Sequence, residues 1–437
     1  MLQKHRMDFF NALSSISIDN VSRQYDTVCV LDSNSDVNSS QHVKYKKLIA
    51  VGYARKLMVD SQKPALPQLQ QFIDQKRSWL FGFISYDLKN ELEELHSNNV
   101  DGLHFPLICF FEPEFVIEVG DDFIEISYDD QFSGNLEDLI SKLTSDRNSD
   151  THVSTAISIK QRMSEEEYLT AVNTLKEHIK KGDIYEVNYC QEFYAEQVQI
   201  DALQVFKKLN AISSAPFAAY FKFEHYYLMS SSPERFLKRE GNRLISQPIK
   251  GTAKRSEDVN EDQLLKERLK FDPKERSENV MIVDLVRNDL SKLVQRGTVH
   301  VDELFGVYTF KQVHQMISTV SCDLKPDLTF ADIIKATFPM GSMTGAPKHS
   351  AMQLIEKYER TKRGLYSGTL GYIDPEGNFD LNVVIRSILY NSKDQYLSFS
   401  VGSAITDKSD AKAEYEECMT KAKAMFDVLQ KTDLFLI

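Results

Sequence analysis

Short apolar runs rich in β-branched and aromatic residues, set between polar loops, dominate residues 1–150. Val28–Leu31, Lys47–Val51, Leu80–Ser85, Leu107–Phe111, Phe115–Val119 and Phe123–Ser127 each have the length and composition of a strand. The Ser/Asn/Asp-rich stretch Asp32–Gln41 reads as a loop. The polar, aperiodic stretch Ser145–Ser154 reads as the boundary of an N-terminal β-rich subdomain. The period then changes. Tyr168, Val172, Leu175 and Ile179 fall on one helical face, Ser164 and Glu167 have capping-box spacing ahead of them, and Gly182 ends the run. Ile184–Tyr194 alternates as a strand. Further helices are predicted over about Glu275–Leu293, from near Pro347, where proline suits a first helical position, and over about Asp410–Gln430. Strands and helices mix without regular βαβ alternation. The pattern predicts an α+β fold, a complex α/β sandwich of largely antiparallel sheets packed with outer helices, and not a Rossmann domain.

The chain has 437 residues, 42% hydrophobic and 27% charged, which is the balance of a globular protein and not of a disordered one. Its net charge of −12 argues against nucleic-acid binding, which needs clustered lysine and arginine. An anionic substrate then requires local positive charge. Cys29, Cys109, Cys190, Cys322 and Cys418 are scattered and form no C-x-x-C pair, so neither a zinc cluster nor a disulfide framework is expected. Asp8 and Asn11 interrupt any signal-peptide core, and no apolar run approaches a membrane span. A cytoplasmic protein is expected.

Five constellations carry candidate chemistry. Glu275 and Glu278 share a face at the start of one predicted helix, as do Glu414 and Glu417 on the last. Four carboxylates suit Mg²⁺, although the same spacing also serves two solvated helix faces. Lys421, four residues after Glu417, is either its ion-pair partner or a cation aimed at a substrate carboxylate. The glycine-rich segment Phe338–Lys348 feeds a helix N-terminus and reads either as an anion site or as an ordinary turn; it is not a Walker A loop. In Gln247–Thr252, Lys250 precedes a Gly251-Thr252 turn and is either a partly buried nucleophile or a surface lysine. In Ser230–Phe236, Glu234 is a candidate acid/base, with Arg235 beside it as a possible salt-bridge partner. Arg386 is a lone cation in an apolar, strand-like run.

From about Ser164 onward the chain resembles the chorismate-utilising enzymes: anthranilate synthase component I, aminodeoxychorismate synthase component I, isochorismate synthase and salicylate synthase. The resemblance lies in GDIYEVN, SSSPERF, PIKGT, RSENVMIVDLVRNDL, FPMGSMTGAPK, SGTLGYID and AEYEECMTKA, in family order. It implies an anthranilate synthase component I-like fold, with residues 155–437 as the chorismate-binding catalytic domain. Glu278 and Glu417 would ligate Mg²⁺, with Glu275 and Glu414 around it. Tyr372, Arg386 and the backbone at Gly402 would hold one substrate carboxylate and Lys421 the other. Gly251, Thr252 and Thr344 would line the substrate. Leu31-Asp32-Ser33 loosely resembles the family's amino-acid-binding strand.

Lys250 distinguishes members, because anthranilate synthases carry Ala there and aminodeoxychorismate synthases carry Lys. The resemblance therefore implies attack by Lys250 on chorismate C2, loss of the C4 hydroxyl with Glu234 as acid/base, and addition of ammonia at C4. The product, 4-amino-4-deoxychorismate, lies on the route to 4-aminobenzoate and folate. Burial and the neighbouring cation are expected to lower the Lys250 pKa. Glu186 stands where water-adding members carry Lys and ammonia-using members carry Gln. Two further departures are Gln315 in place of a family histidine, with His314 one residue early, and Ala404 in place of a glycine. No Gly-x-Cys-x-Gly elbow occurs, so a separate glutamine amidotransferase is the implied ammonia source.

Overall fold

Leu80–Ile84 is apolar at every side-chain-bearing position, and all five residues are buried in the computed structural model, which describes residues 2–8, 16–34, 43–60, 64–144, 157–294 and 297–430. Burial on both faces recurs through two large sheets. Along Thr27–Asp32 and Lys47–Val51, Cys29, Leu48 and Ala50 enter one apolar cluster while Val28, Val30 and Ile49 enter another. Successive strand residues face opposite ways, so a strand covered on both sides is apolar throughout instead of alternating.

The larger sheet has twelve strands. In spatial order these are Leu2–Asp8, Phe123–Asp129, Phe115–Val119, Lys47–Val51, Thr27–Asp32, Phe217–Phe223, Tyr226–Ser232, Ser387–Asn391, Tyr396–Ile405, Glu186–Ala195 and Gly345–Ala346, with Lys160–Gln161 also on Glu186–Ala195. The second has ten strands: Ile249–Lys254, Val313–Asp323, Arg243–Gln247, Arg235–Glu240, Phe379–Asn382, Thr369–Ile373, Leu80–Ile84, Ile108–Glu112 and Arg55–Val59, with His300–Thr309 also on Val313–Asp323. Every pairing between these strands is antiparallel. One apolar cluster joins the sheets face to face, through residues such as Ala50 and Phe221 on one side and Phe83 and Phe111 on the other. The second lies between the larger sheet and the helices Glu165–Lys181, Ala202–Ser213 and Ala411–Gln430.

The strands before residue 150 do not form a sheet of their own. Thr27–Asp32 pairs with Phe217–Phe223, and Leu80–Ile84 pairs with Thr369–Ile373. The expected boundary at Ser145–Ser154, and most of the Asp32–Gln41 loop, lie outside the described residues. The helix at Glu165–Lys181 forms as its signals require. Ser164 accepts the Glu167 N–H at 3.2 Å, Glu167 accepts the Ser164 N–H at 2.8 Å, and Gly182 ends the helix at φ +84°. No helix among the described residues is long and apolar enough to cross a membrane.

Candidate active site

Two helices and two strand ends build the site. The helix Pro273–Ser291 is capped by Asp272, whose Oδ1 accepts the Lys274 and Glu275 N–H groups at 2.9 and 3.0 Å. Its Asn279 anchors it to the smaller sheet, accepting Ser318 Oγ–H at 2.6 Å and donating to the Lys250 carbonyl at 3.5 Å. This seat sets Glu275 and Glu278 against the strand carrying Lys250. Gly251 adopts φ +98°, and a Cβ there would come 3.1 Å from Glu275 Oε2, so the strand approaches that carboxylate as closely as glycine permits.

Lys250 turns inward and is not a surface residue. Its side chain is 12% exposed, and Nζ donates to Glu186 Oε1 at 3.0 Å. Burial alone would lower its pKa, but Glu186, Glu278 and Glu234 together raise it. This reverses the expected lowering: the charged neighbours that shift it are the carboxylates Glu186, Glu278 and Glu234.

Glu234 is buried and accepts Ser342 Oγ–H at 2.7 Å. Burial pushes its carboxyl up to about 7, against the opposing effects of Ser342, Lys250 and the Ile249 N–H. A carboxyl held near neutrality both donates and accepts a proton at working pH. Arg235 is not its partner: the guanidinium reaches the other way, to both oxygens of Asp380 at 2.8 and 2.9 Å.

The glycine-rich segment Phe338–Lys348 acts as a positioning device. Thr344 is fully buried, its hydroxyl donates to the Met340 and Gly341 carbonyls, and its own carbonyl accepts the Asn188 N–H at 2.8 Å. Gly345 and Ala346 pair with Val187 and Glu186, which fixes Glu186 against Lys250. Lys348 binds Asp289 on the carboxylate helix.

On the terminal helix Ala411–Gln430, Lys421 donates to Glu417 at 2.6 Å and to the Gly402 carbonyl at 2.9 Å. Burial would raise Glu417, but Lys421, Lys274 and Lys250 hold it below its ordinary value. Lys274 stands 3.8 Å from both Glu278 Oε1 and Glu414 Oε1 and so joins the two helices.

An all-oxygen set drawn from these helices fits Mg²⁺ in its chemistry. Glu278 Oε1 is buried with no hydrogen-bond donor, and burial pushes that carboxyl up to about 7, with Lys250 and Lys274 opposing. An under-partnered buried carboxylate of this kind gains most from a hard cation. Among the described residues, no three His, Cys, Asp or Glu side chains converge as a ready-made metal site.

Arg386 lies at φ +51° in a cavity shared with Ser231, Pro233 and Gln315. Among the described residues, it makes no ion pair; burial lowers its pKa, with Tyr366 and Glu417 opposing. Gln315 Oε1 is buried there without a donor, whereas His314 is tied to Thr309 and Asp262 at 3.0 Å each. Thr252 is exposed opposite Gln315, and Ala404 is half-buried opposite Asn188.

Tyr372 requires correction. On the strand Thr369–Ile373 it faces away from this cavity, packs on Tyr45, Trp79 and Phe81, and lines a second cavity with Leu31, Asp32 and Ser33. The tyrosine within electrostatic reach of Arg386 is Tyr366, in the turn before that strand. Sequence reasoning missed Tyr366, Ser342 and Lys274. The last had a signal, since it lies four residues before Glu278.

The fold is the α+β fold of anthranilate synthase component I. The chain belongs to the chorismate binding enzyme family, whose model matches residues 26–427. It is 35% identical over 360 residues to an anthranilate synthase component I-like protein of Synechocystis sp., a match covering 80% of this chain and 72% of that protein. It is 38% identical over 268 residues to aminodeoxychorismate synthase component 1 of Klebsiella aerogenes, a match covering 61% of this chain and 59% of that protein. The crystal structure of anthranilate synthase component I from Streptococcus pneumoniae superposes with a TM-score of 0.78 at 25% identity, covering 86% of this chain and 91% of that one.

Proposed function

We propose that this protein converts chorismate and ammonia to 4-amino-4-deoxychorismate, with Lys250 as nucleophile. The observation that carries the reading is the inward-turned Lys250 amine, 3.0 Å from Glu186 and within the field of Glu234 and Glu278. A family member with alanine at this position has no amine to offer. Lys250 forms a bond to ring C2, the ring double bond shifts, and the C4–O bond breaks. The lysine's displaced proton and the leaving hydroxide, with Glu234 as proton carrier, leave as water. Ammonia then forms a bond at C4 and Lys250 departs from C2. Splitting one displacement into two allylic steps lowers the barrier of each.

Arg386 and Lys421 supply the positive charge for two substrate carboxylates that a chain of net charge −12 does not supply globally. Mg²⁺, when held by Glu278 and Glu417 with Glu275 and Glu414 around it, would neutralise the ring carboxylate. Ammonia would come from a separate glutamine amidotransferase.

Incubation with chorismate, Mg²⁺ and ammonium, with the products resolved, tests the reading. Aminodeoxychorismate is expected, and EDTA or Lys250→Ala should abolish it. Anthranilate with pyruvate as the product overturns it.

A further inference from the structure

Glu234 borders a second space besides the one it shares with Lys250. A cavity lies between the helix Pro273–Ser291 and the segment Phe338–Lys348, lined by Glu234, Ser246, Asp289, Thr337 and Ser342 among its polar residues. The space open there to the centre of a water molecule is about 20 Å³. That is room for roughly one or two waters, and the polar lining supplies the partners such waters need. Asp289 links this cavity to solvent. Asp289 is buried, its Oδ1 accepts Lys292 Nζ–H at 2.9 Å, and its Oδ2 accepts Lys348 Nζ–H. Lys292 is exposed and Lys348 half-buried. Burial lowers the Lys348 pKa, with Asp289 and, more weakly, Glu93 opposing. Arg235 also borders the cavity, but its guanidinium is committed to Asp380 and Gln247.

The amination leaves Glu234 short of a proton. In the first step Glu234 protonates the leaving hydroxide and takes the proton displaced from Lys250. In the second, ammonia bonds to C4, the ring double bond shifts back, and the C2–N electron pair goes to Nζ, to which Glu234 returns the proton. The product leaves with its new nitrogen as an ammonium, the form of an aliphatic amine at neutral pH. Each turnover therefore consumes one proton, and Glu234 supplies it. Glu234 is buried, and its other side faces Lys250 and the substrate.

We propose that Asp289 and the cavity beside Glu234 form the route by which this proton is replaced, from solvent at the Lys292–Asp289–Lys348 cluster, across one or two cavity waters, to the Glu234 carboxylate. This rests on the C4-amination reading and deepens it. Asp289 touches neither substrate nor reacting atoms and acts only through Glu234. Protonated from solvent, it gives its proton to a cavity water, and that water gives one of its own to Glu234. The chain moves one proton inward and leaves the waters unchanged.

Asp289→Ala removes the relay carboxylate and opens a gap between two lysines that a small anion fills. Product formation from chorismate, Mg²⁺ and ammonium chloride is followed by rapid quench through the first turnover and then in steady state. The first turnover should run at the native rate, because Glu234 has taken up its proton before mixing. Steady-state kcat should fall about tenfold or more, with the chorismate KM unchanged. Added formate should restore it. Nitrate has the same planar shape and charge but is too weak a base to carry a proton, so it should not. Equal slowing of first and later turnovers, or rescue by nitrate as well as formate, would mean that Asp289 only pairs the lysines, and would overturn the proposal. So would a native steady-state rate. If Asp289→Ala does not fold, Asp289→Asn combined with Lys348→Met leaves no half-buried lysine without its carboxylate. That double variant should show the same split between first and later turnovers, and a uniform rate in it counts equally against the route. The quenched product separates the two readings. Anthranilate ends the C4-amination reading, whereas aminodeoxychorismate formed equally fast in every turnover ends only the proton route.

Discussion

Glu234 combines a buried carboxyl with a pKa pushed up to about 7 by that burial, against Ser342, Lys250 and the Ile249 N–H. In the unfolded chain a glutamate titrates near ~4.3. Between these values the folded protein holds the extra proton, so stability falls as pH rises and the loss is complete above the folded pKa. Glu234→Gln, which cannot ionise, should therefore be more stable than the native chain at about pH 8 by on the order of 2 kcal/mol, with the gap closing at about pH 4. Urea denaturation at the two pH values checks this, and an equal difference at both would mean that Glu234 titrates normally. Arg386 offers the complementary test. Half-buried, and without an ion pair among the described residues, it should hold a substrate carboxylate. Arg386→Ala should then raise the chorismate KM by about 30-fold or more, the worth of one charged hydrogen bond, more than it lowers kcat. A change confined to kcat would assign Arg386 another role. At this scale the sequence was legible where chemistry is local. Lys250 and Glu234 stood out by motif, and beside the carboxylate helix Glu234 is buried and Lys250 half-buried. Tyr372 was misplaced because alternation along a strand decides which cavity a side chain enters, and the motif string does not carry that parity.

Elements were legible where their ends are written in residues. The capping box of Ser164 and Glu167 and the stop at Gly182 set the helix Glu165–Lys181 as expected. The strands Leu2–Asp8 and Arg55–Val59 were not anticipated; each is largely polar on its exposed positions and is held by pairing with a distant partner, Phe123–Asp129 and Ile108–Glu112. The segment Phe338–Lys348 is the clearest case of an element whose role needed coordinates. Read alone it offers an anion site or a turn. In place, Gly345 at φ +150° lets the chain pass so near Glu186 that a Cβ would collide with the Glu186 carbonyl oxygen. Gly345→Ala should cost about 3 kcal/mol or more, since both the backbone angle and the contact are refused. It should also disorder the Glu186–Lys250 contact, lowering kcat beyond what the stability loss explains. Thermal denaturation and activity measured well below the melting point separate the two effects. A variant of native stability and native rate would remove this turn from the positioning of Glu186.

At the scale of the molecule, the apolar run Leu80–Ile84 and the motif Ser367–Asp374 lie far apart in sequence yet form neighbouring strands of one sheet, Thr369 opposite Ile84 and Ile373 opposite Leu80. Likewise Thr27–Asp32 closes onto Phe217–Phe223. A reading that places a β-rich segment before a catalytic one finds the strands but not this interleaving, because pairing partners are chosen by packing across the whole chain. The consequence is testable. A fragment of residues 157–437 keeps every carboxylate and cation of the cleft but loses the strands that cover Phe217–Phe223 and Thr369–Ile373. It would expose two long apolar sheet edges, and edges of that kind associate. It would also strip the inter-sheet cluster of Phe81, Phe83, Phe110 and Phe111, all fully buried in the intact chain. Each such aromatic contributes about 2–3 kcal/mol by burial, so losing the four costs on the order of 10 kcal/mol, comparable to the roughly 5–15 kcal/mol by which a typical domain is stable. The fragment should aggregate or unfold without a cooperative transition, and adding residues 1–156 as a separate chain during refolding should restore a cooperative melt. A monomeric fragment that melts cooperatively by itself would show that the site-bearing part folds independently of the strands it shares.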